Sequence, residues 1–146
     1  MTQDLQFDIA DHIATIRLNR PDRMNAFTFE MIAGIATDPD FGPLLMVGLG
    51  GIHVEILRDV ASTPLPVDQA IAEQLVDRLR GAQLLGPVRG APARDRAALV
   101  TLLSRLSTLA AELSDHIAEI DLNPVIVHET GITIVDALIV PRTEDP

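Results

Sequence analysis

The chain of 146 residues contains no cysteine, no tryptophan and no tyrosine. The lack of cysteine excludes disulfides, thiolate zinc sites and cysteine nucleophiles together. Aromatic residues make up only 3% of the chain, which excludes an aromatic stacking platform for single-stranded nucleic acid. The four histidines show no i, i+4 pair, so a histidine-based zinc site has little support. The core must therefore be built from leucine, isoleucine, valine and alanine.

Basic residues are also scarce, with 11 Lys and Arg against 21 Asp and Glu and a net charge of -10. Binding to a nucleic-acid backbone needs clustered basic residues, and here they are scattered, so we predict no nucleic-acid partner. An acidic domain can still bind a nucleotide through a divalent cation. No apolar run approaches the roughly 20 residues that span a bilayer, and the first residues lack the apolar core of a signal peptide. We expect a cytoplasmic protein with no membrane partner.

Hydrophobic residues make up 47% of the chain, enough for the core of one compact domain. In the first half, hydrophobic alternation predicts strands at 12–18 and 53–57 and an apolar run at 44–49. Asn25 or Thr28 is expected to cap a short helix that ends at Ile35, and the two prolines of segment 60–66 restrict it to an edge strand or a loop.

Two helices and a hairpin are predicted in the second half. Asp68 begins a helix to residue 79 with an apolar face of Ile71, Leu75, Val76 and Leu79, and Asp95 begins a leucine-rich helix over 96–113. Segment 81–94 reads as a loop. Strands at 117–127 and 132–140 are joined by residues 128–131. The predicted fold class is α+β, an antiparallel sheet with two packed helices.

The last hairpin carries the best candidate for chemistry. Its four-residue loop pairs Val127 with Ile132, and continuing this register places Asn123 opposite Asp136. A carboxamide and a carboxylate oxygen on one sheet face suit Mg²⁺, which takes few protein ligands and completes its shell with water and phosphate oxygens. Glu119 and Asp121 lie on the same face as Asn123. The alternative is a solvated polar strand face without a metal.

A glycine-rich segment, Gly48-Leu49-Gly50-Gly51, is the second candidate site, with Glu55 in the strand that follows. Glycine allows backbone amides to approach a phosphate or another chain closely. No helix follows, so the segment is neither a P-loop nor a dinucleotide fingerprint. A tight hairpin is the structural alternative, and Glu55 is either solvent-facing or a third carboxylate of the site.

Several motifs occur in the order found in one enzyme family: Asp38-Pro39-Asp40-Phe41-Gly42-Pro43, Gly48-Leu49-Gly50-Gly51-Ile52-His53-Val54-Glu55, Arg58-Asp59-Val60, Leu84-Leu85-Gly86, Arg89-Gly90-Ala91-Pro92, Glu119-Ile120-Asp121-Leu122-Asn123-Pro124 and Val135-Asp136-Ala137. Residues 38–140 thereby resemble the C-terminal part of the ATP-grasp region of ADP-forming acyl-CoA synthetases. The resemblance implies Mg²⁺ ligands at Asn123 and Asp136, with Gly48, Gly50, Gly51 and Glu55 beside bound ATP or ADP.

The same resemblance implies that half of the nucleotide site is missing from this chain. The preceding half of ATP-grasp, with its adenine hinge, basic phosphate ligand and phosphorelay histidine, has no counterpart here, so no catalytic residue is assigned. We expect a second chain to supply it, or a homo-oligomer. The first alternative is a non-catalytic, self-associating remnant, since a missing subdomain leaves apolar surface uncovered.

The N-terminal segment has a different resemblance. Ile16-Arg17-Leu18-Asn19-Arg20-Pro21, followed by Met24-Asn25-Ala26-Phe27, is similar to the opening of the crotonase (enoyl-CoA hydratase) family. The predicted organisation is a crotonase-like strand–turn–helix segment over 1–37, the ATP-grasp-like part over 38–140 and a tail over 141–146. A crotonase-like hydratase is the second alternative function.

Overall fold

The computed structural model describes the backbone of residues 5–10 and 13–18, and the backbone and side chains of residues 30–50, 59–88 and 90–142. The first two strands, β1 (Leu5–Ala10) and β2 (Ile13–Leu18), pair as an antiparallel hairpin. The strand predicted at 12–18 is thus confirmed as β2. The strand predicted at 53–57 lies outside the described residues, as do Gly51 and Glu55.

Six of the described strands form one antiparallel sheet with the order β5-β4-β3-β6-β7, in which β8 also pairs with β6. Their bounds are β3 (Glu30–Asp38), β4 (Gly42–Leu49), β5 (Val60–Pro64), β6 (Ile117–Val127), β7 (Ile132–Ile134) and β8 (Ala137–Pro141). The strand β5, which contains Pro64, lies at the edge of the sheet, where the missing N–H group of proline is tolerated.

The described helices are α1 (Gln69–Asp77), a 3₁₀ turn (Arg80–Leu85) and α2 (Arg96–Glu112). Both predicted caps are confirmed: the Asp68 carboxylate accepts from the Ile71 N–H at 2.8 Å, and that of Asp95 from the Ala98 N–H at 2.9 Å. No helix among the described residues is long and apolar enough to cross a membrane.

The two helices cover one face of the sheet, which we call the inner face. Alternate strand residues point into it and join the buried faces of α1 and α2 in a single core. Its fully buried members include Met31, Leu45, Leu75, Leu99 and Leu103. The predicted α+β class, an antiparallel sheet with two packed helices, is confirmed. The opposite side of the sheet is called the outer face below.

Four details of the sequence-based prediction are wrong. Residues 30–35, predicted as the end of a helix, form the central strand β3, because they pair with β4 on one side and β6 on the other. The last predicted strand is interrupted at 135–136 and becomes β7 and β8. The 3₁₀ turn lies in the segment predicted as a loop. Ile71, predicted in the core, is exposed at the solvent side of α1.

Candidate functional site

A shallow depression of about 240 Å³ lies on the outer face, where β3, β4 and β6 run side by side. One wall is apolar and the other is acidic and polar. The outer-face side chains that line it are Ile32, Ala36 and Met46 on β3 and β4, and Glu119, Asp121 and Asn123 on β6. The sequence-based prediction that Glu119, Asp121 and Asn123 share one face is therefore confirmed.

Gly34 forms the floor of this depression. It lies opposite Met46 on β4 and Asp121 on β6. A Cβ atom at this position would lie 2.5 Å from the carbonyl oxygen of Ile120, closer than real Cβ contacts come. Glycine is therefore required here for the close approach of β3 and β6, and its lack of a side chain keeps the centre of the outer face open.

A β-bulge interrupts β6 beside the depression. Met31 pairs with Val125 and Ala33 pairs with Leu122, so Asn123 and Pro124 together oppose the single residue Ile32. A bulge tolerates proline, which cannot donate to the ladder, and it re-aims the neighbouring side chains. Its effect shows in the burial: Leu122 and Val125 are both buried although three positions apart, while Asn123 between them is exposed.

The rung that joins Asn123 to Asp136 has the register predicted from the loop length. Val127 pairs with Ile132 on one side of it and Leu122 with Ala137 on the other. The backbone N–H of Asn123 donates to the carbonyl oxygen of Asp136 at 3.2 Å. Both residues are exposed. Asn123 lines the depression, and Asp136 lies between β7 and β8, so this backbone rung borders one end of the depression.

The Asp136 carboxylate is oriented by its own backbone, since its Oδ1 accepts the N–H of Ala137 at 2.8 Å. No group of three or more histidine or acidic side chains converges on a common point in the described part of the chain. The donor set of the rung is instead one carboxylate and one carboxamide. Such a pair fits Mg²⁺, whose remaining positions are filled by water and phosphate oxygens.

Asp95 anchors the hairpin that carries this rung. Its Oδ2 accepts the N–H of Gly131 at 2.7 Å, and its own N–H donates to the carbonyl oxygen of His128 at 2.7 Å. Because the same carboxylate caps α2 through Ala98, it joins the helix to the loop between β6 and β7. The hydrogen bonds from Gly131 and Ala98 lower the pKa of Asp95 below its ordinary value of 3.8.

Asp59, which lies just before β5, has a structural role that was not predicted from the sequence. Its side chain is only 6% exposed and accepts the N–H groups of Arg80 at 2.8 Å and Gly81 at 2.7 Å. It therefore fixes the start of the 3₁₀ turn against the sheet. An aspartate beside an edge strand gives no local signal for contacts more than 20 residues away.

The glycine-rich segment begins inside β4. Gly48 lies on the outer face beside Met46 and between Ile32 and Val60, and a Cβ atom there would lie 2.9 Å from the carbonyl oxygen of Asp59. The N–H of Gly50 donates to the carbonyl oxygen of Glu30 at 2.7 Å. Both glycines therefore allow close contact with neighbouring strands, and any phosphate contact by Gly50 would have to use a group other than this N–H.

Comparison with known proteins assigns the family. The sequence model of the ATP-grasp domain matches residues 11–140. The chain is 40% identical over 113 residues to the beta subunit of acetate–CoA ligase [ADP-forming] II from Pyrococcus furiosus, covering 76% of this chain and 48% of that subunit. It is 37% identical over 115 residues to the beta subunit of acetate–CoA ligase [ADP-forming] I from the same organism, covering 79% of this chain and 49% of that subunit.

Solved structures of related synthetases have a similar fold. The dinucleotide-forming acetyl-coenzyme A synthetase 1 of Ca. Korarchaeum cryptofilum, in complex with coenzyme A and Mg-AMPPCP, superposes with a TM-score of 0.75 at 34% identity. The match covers 87% of this chain and 68% of that chain. The same synthetase with Ca-AMPCP gives a TM-score of 0.74 at 39% identity, covering 80% of this chain and 51% of that chain.

Two consequences follow from these matches. The chain spans about half the length of the curated Pyrococcus furiosus subunits. The family match begins at residue 11, within the segment that resembles the crotonase opening, and nothing in these comparisons supports that resemblance. The strand β3 also starts before the boundary predicted at residue 37.

The antiparallel sheet with its outer-face depression, the two packed helices and these matches together establish that the chain belongs to the ATP-grasp domain family.

Proposed function

We propose that this chain is the part of an ADP-forming acyl-CoA synthetase that binds the phosphates of Mg-ATP or Mg-ADP. The observation that carries the proposal is the rung at which Asn123 and Asp136 meet beside the acidic outer-face depression. The relatives support the class of enzyme, since they are ADP-forming CoA ligases, and one related synthetase was solved with Mg-AMPPCP.

In the proposed site, the side-chain oxygens of Asn123 and Asp136 hold Mg²⁺ on the outer face. The bond from the Ala137 N–H to Oδ1 leaves Oδ2 of Asp136 for the metal. Mg²⁺, when bound, neutralises charge on the phosphate oxygens. Glu119 and Asp121 add negative potential that attracts the cation and repels a free nucleotide without metal.

The glycine-rich segment is proposed to flank the nucleotide. Gly48 lies on the outer face beside Met46, which lines the depression, and Gly50, Gly51 and Glu55 follow it in the sequence. The open floor at Gly34 leaves room for a flat, partly apolar group between the apolar and the acidic walls. We propose that the remaining contacts come from a partner chain, because both described helices lie on the inner face.

Titration calorimetry with Mg-ADP tests the proposal, first on the chain alone and then with a candidate partner chain that carries the other ATP-grasp half. Asp136→Asn is expected to weaken the binding of Mg-ADP at least tenfold, because it removes the negative charge that is proposed to hold Mg²⁺. Asp115→Asn, the same charge change in the exposed turn before β6, is the matched control. Absence of heat in both settings, or equal effects of the two variants, would refute the assignment.

A further inference from the structure

The strand β8 forms an edge of the described sheet and consists of uncharged residues. Among the described strands β8 has one neighbour, β6, and no described strand pairs with its other side, which is called the free edge below. Its five residues are Ala-Leu-Ile-Val-Pro, with no charge among them. Leu138 is 58% exposed on the outer face and Ile139 is 52% exposed on the inner face. A free apolar edge strand is a template for pairing with another strand.

The hydrogen bonds show which groups this edge offers. Asp136 accepts from Asn123 through its backbone carbonyl, and the backbone N–H of Arg142 donates to the carbonyl oxygen of His116 at 2.7 Å. Even-numbered residues of this stretch therefore turn their backbone groups towards β6. In an antiparallel ladder alternate residues face opposite sides, so the N–H and C=O of Ile139 point to the free edge.

The sequence around Ile139 is complementary to itself. When two copies of β8 lie antiparallel with Ile139 opposite Ile139, the two residues exchange both backbone hydrogen bonds. Leu138 then faces Val140 of the second copy on the outer face. In the same register Asp136 of each copy faces Arg142 of the other, so opposite charges meet at both ends of the strand pair.

We propose that a second copy of this chain pairs with β8 along this edge, in the register centred on Ile139, and that the two sheets become one continuous sheet across the dimer. The paired edge covers exposed leucine and isoleucine side chains on both faces. Each chain has a net charge of -10, so two copies repel each other. Salt screens this repulsion beyond about 8–10 Å at moderate ionic strength, whereas the charges of the two proposed ion pairs lie in direct contact.

Sedimentation velocity over a range of concentrations, in buffer with EDTA, tests dimerisation in the absence of divalent metal ions. The wild type is expected to dimerise reversibly. Arg142→Glu replaces two attractions by two repulsions, and we expect the dissociation constant to rise about tenfold. Arg105→Glu, at an exposed position of α2, changes the net charge by the same amount as Arg142→Glu and is expected to leave dimerisation unchanged. The double variant Asp136→Arg with Arg142→Asp should restore it.

A second variant tests the backbone contact. Ile139→Pro removes the backbone N–H at the centre of the proposed strand pair. Because that N–H faces away from β6, we expect the hydrogen bonds inside the sheet to be retained and dimerisation to be lost. Circular dichroism checks the fold of each variant. A wild type that is monomeric at every concentration would overturn the proposal. So would a dimer that Ile139→Pro leaves intact, or one that Arg142→Glu and Arg105→Glu affect equally.

Discussion

The hydrogen bond between Ser107 and Val67 offers a sharp test of how the two helices are held together. The backbone N–H of Val67 donates to the Ser107 hydroxyl oxygen at 2.7 Å. The two residues are 1% and 4% exposed, so water does not reach the bond from the surface. Val67 directly precedes the cap of α1, and Ser107 lies in α2. This one bond therefore connects the start of one helix to the middle of the other.

Ser107→Ala removes the acceptor and leaves a buried N–H without a partner. Such a loss costs about 1–3 kcal/mol of the free energy of unfolding. For a chain of this size each kcal/mol lowers Tm by about 2–4 °C, so we expect a fall of roughly 2–12 °C. The whole free energy of unfolding of a domain is only about 5–15 kcal/mol, so the effect is large.

Ser104→Ala, on the same helix one turn earlier, is the matched control. Both substitutions gain the same few tenths of a kcal/mol of helix propensity, and their difference isolates the buried bond. Thermal unfolding followed by circular dichroism gives the two Tm values, and hydrogen exchange at the Val67 amide reports the bond itself. Equal Tm values, together with unchanged protection of that amide, would refute the reasoning.

Three further predictions concern other parts of the fold. Gly34→Ala should destabilise the chain by about 1–3 kcal/mol, because the new Cβ collides with the carbonyl oxygen of Ile120; urea unfolding measures it, and a gain in stability would contradict the close approach. Because the pKa of Asp95 is lowered in the folded state, its stabilising contribution is present above about pH 4 and is lost as the pH falls through the folded-state pKa. The urea midpoint of wild type should therefore fall more steeply with acid than that of Asp95→Asn. Leu103→Ala in the core should cost about 2–5 kcal/mol, and Leu109→Ala on the exposed side of α2 far less; similar Tm shifts would place Leu103 outside the core.

Local signals in the sequence were sufficient for several elements. Asp68 and Asp95 cap the predicted helices, since a cap depends only on the residue and the few amides after it. The length of the hairpin loop determines the register of β6 and β7, which in turn brings Asn123 and Asp136 to one rung. Both facts are contained within short segments.

Other features depend on residues far apart in the chain. Residues 30–35 are a strand because β4 and β6 pair with them on both sides, and tertiary pairing overrides their helical pattern. The β-bulge at Asn123 and Pro124 arises where β6 meets β3, more than 80 residues away. Asp59 is buried because the N–H groups of Arg80 and Gly81 meet its carboxylate.

The sequence by itself determined the fold class, the helix caps and the pair of oxygen-bearing side chains on the last hairpin, because each depends on neighbours along the chain. The tertiary structure decided that β3 is the central strand, that Gly34 keeps the outer face open beside Asn123, and that β8 lies at the edge of the sheet formed by the described strands. Those features follow from packing between distant segments, and a linear pattern does not encode which segment will be the neighbour.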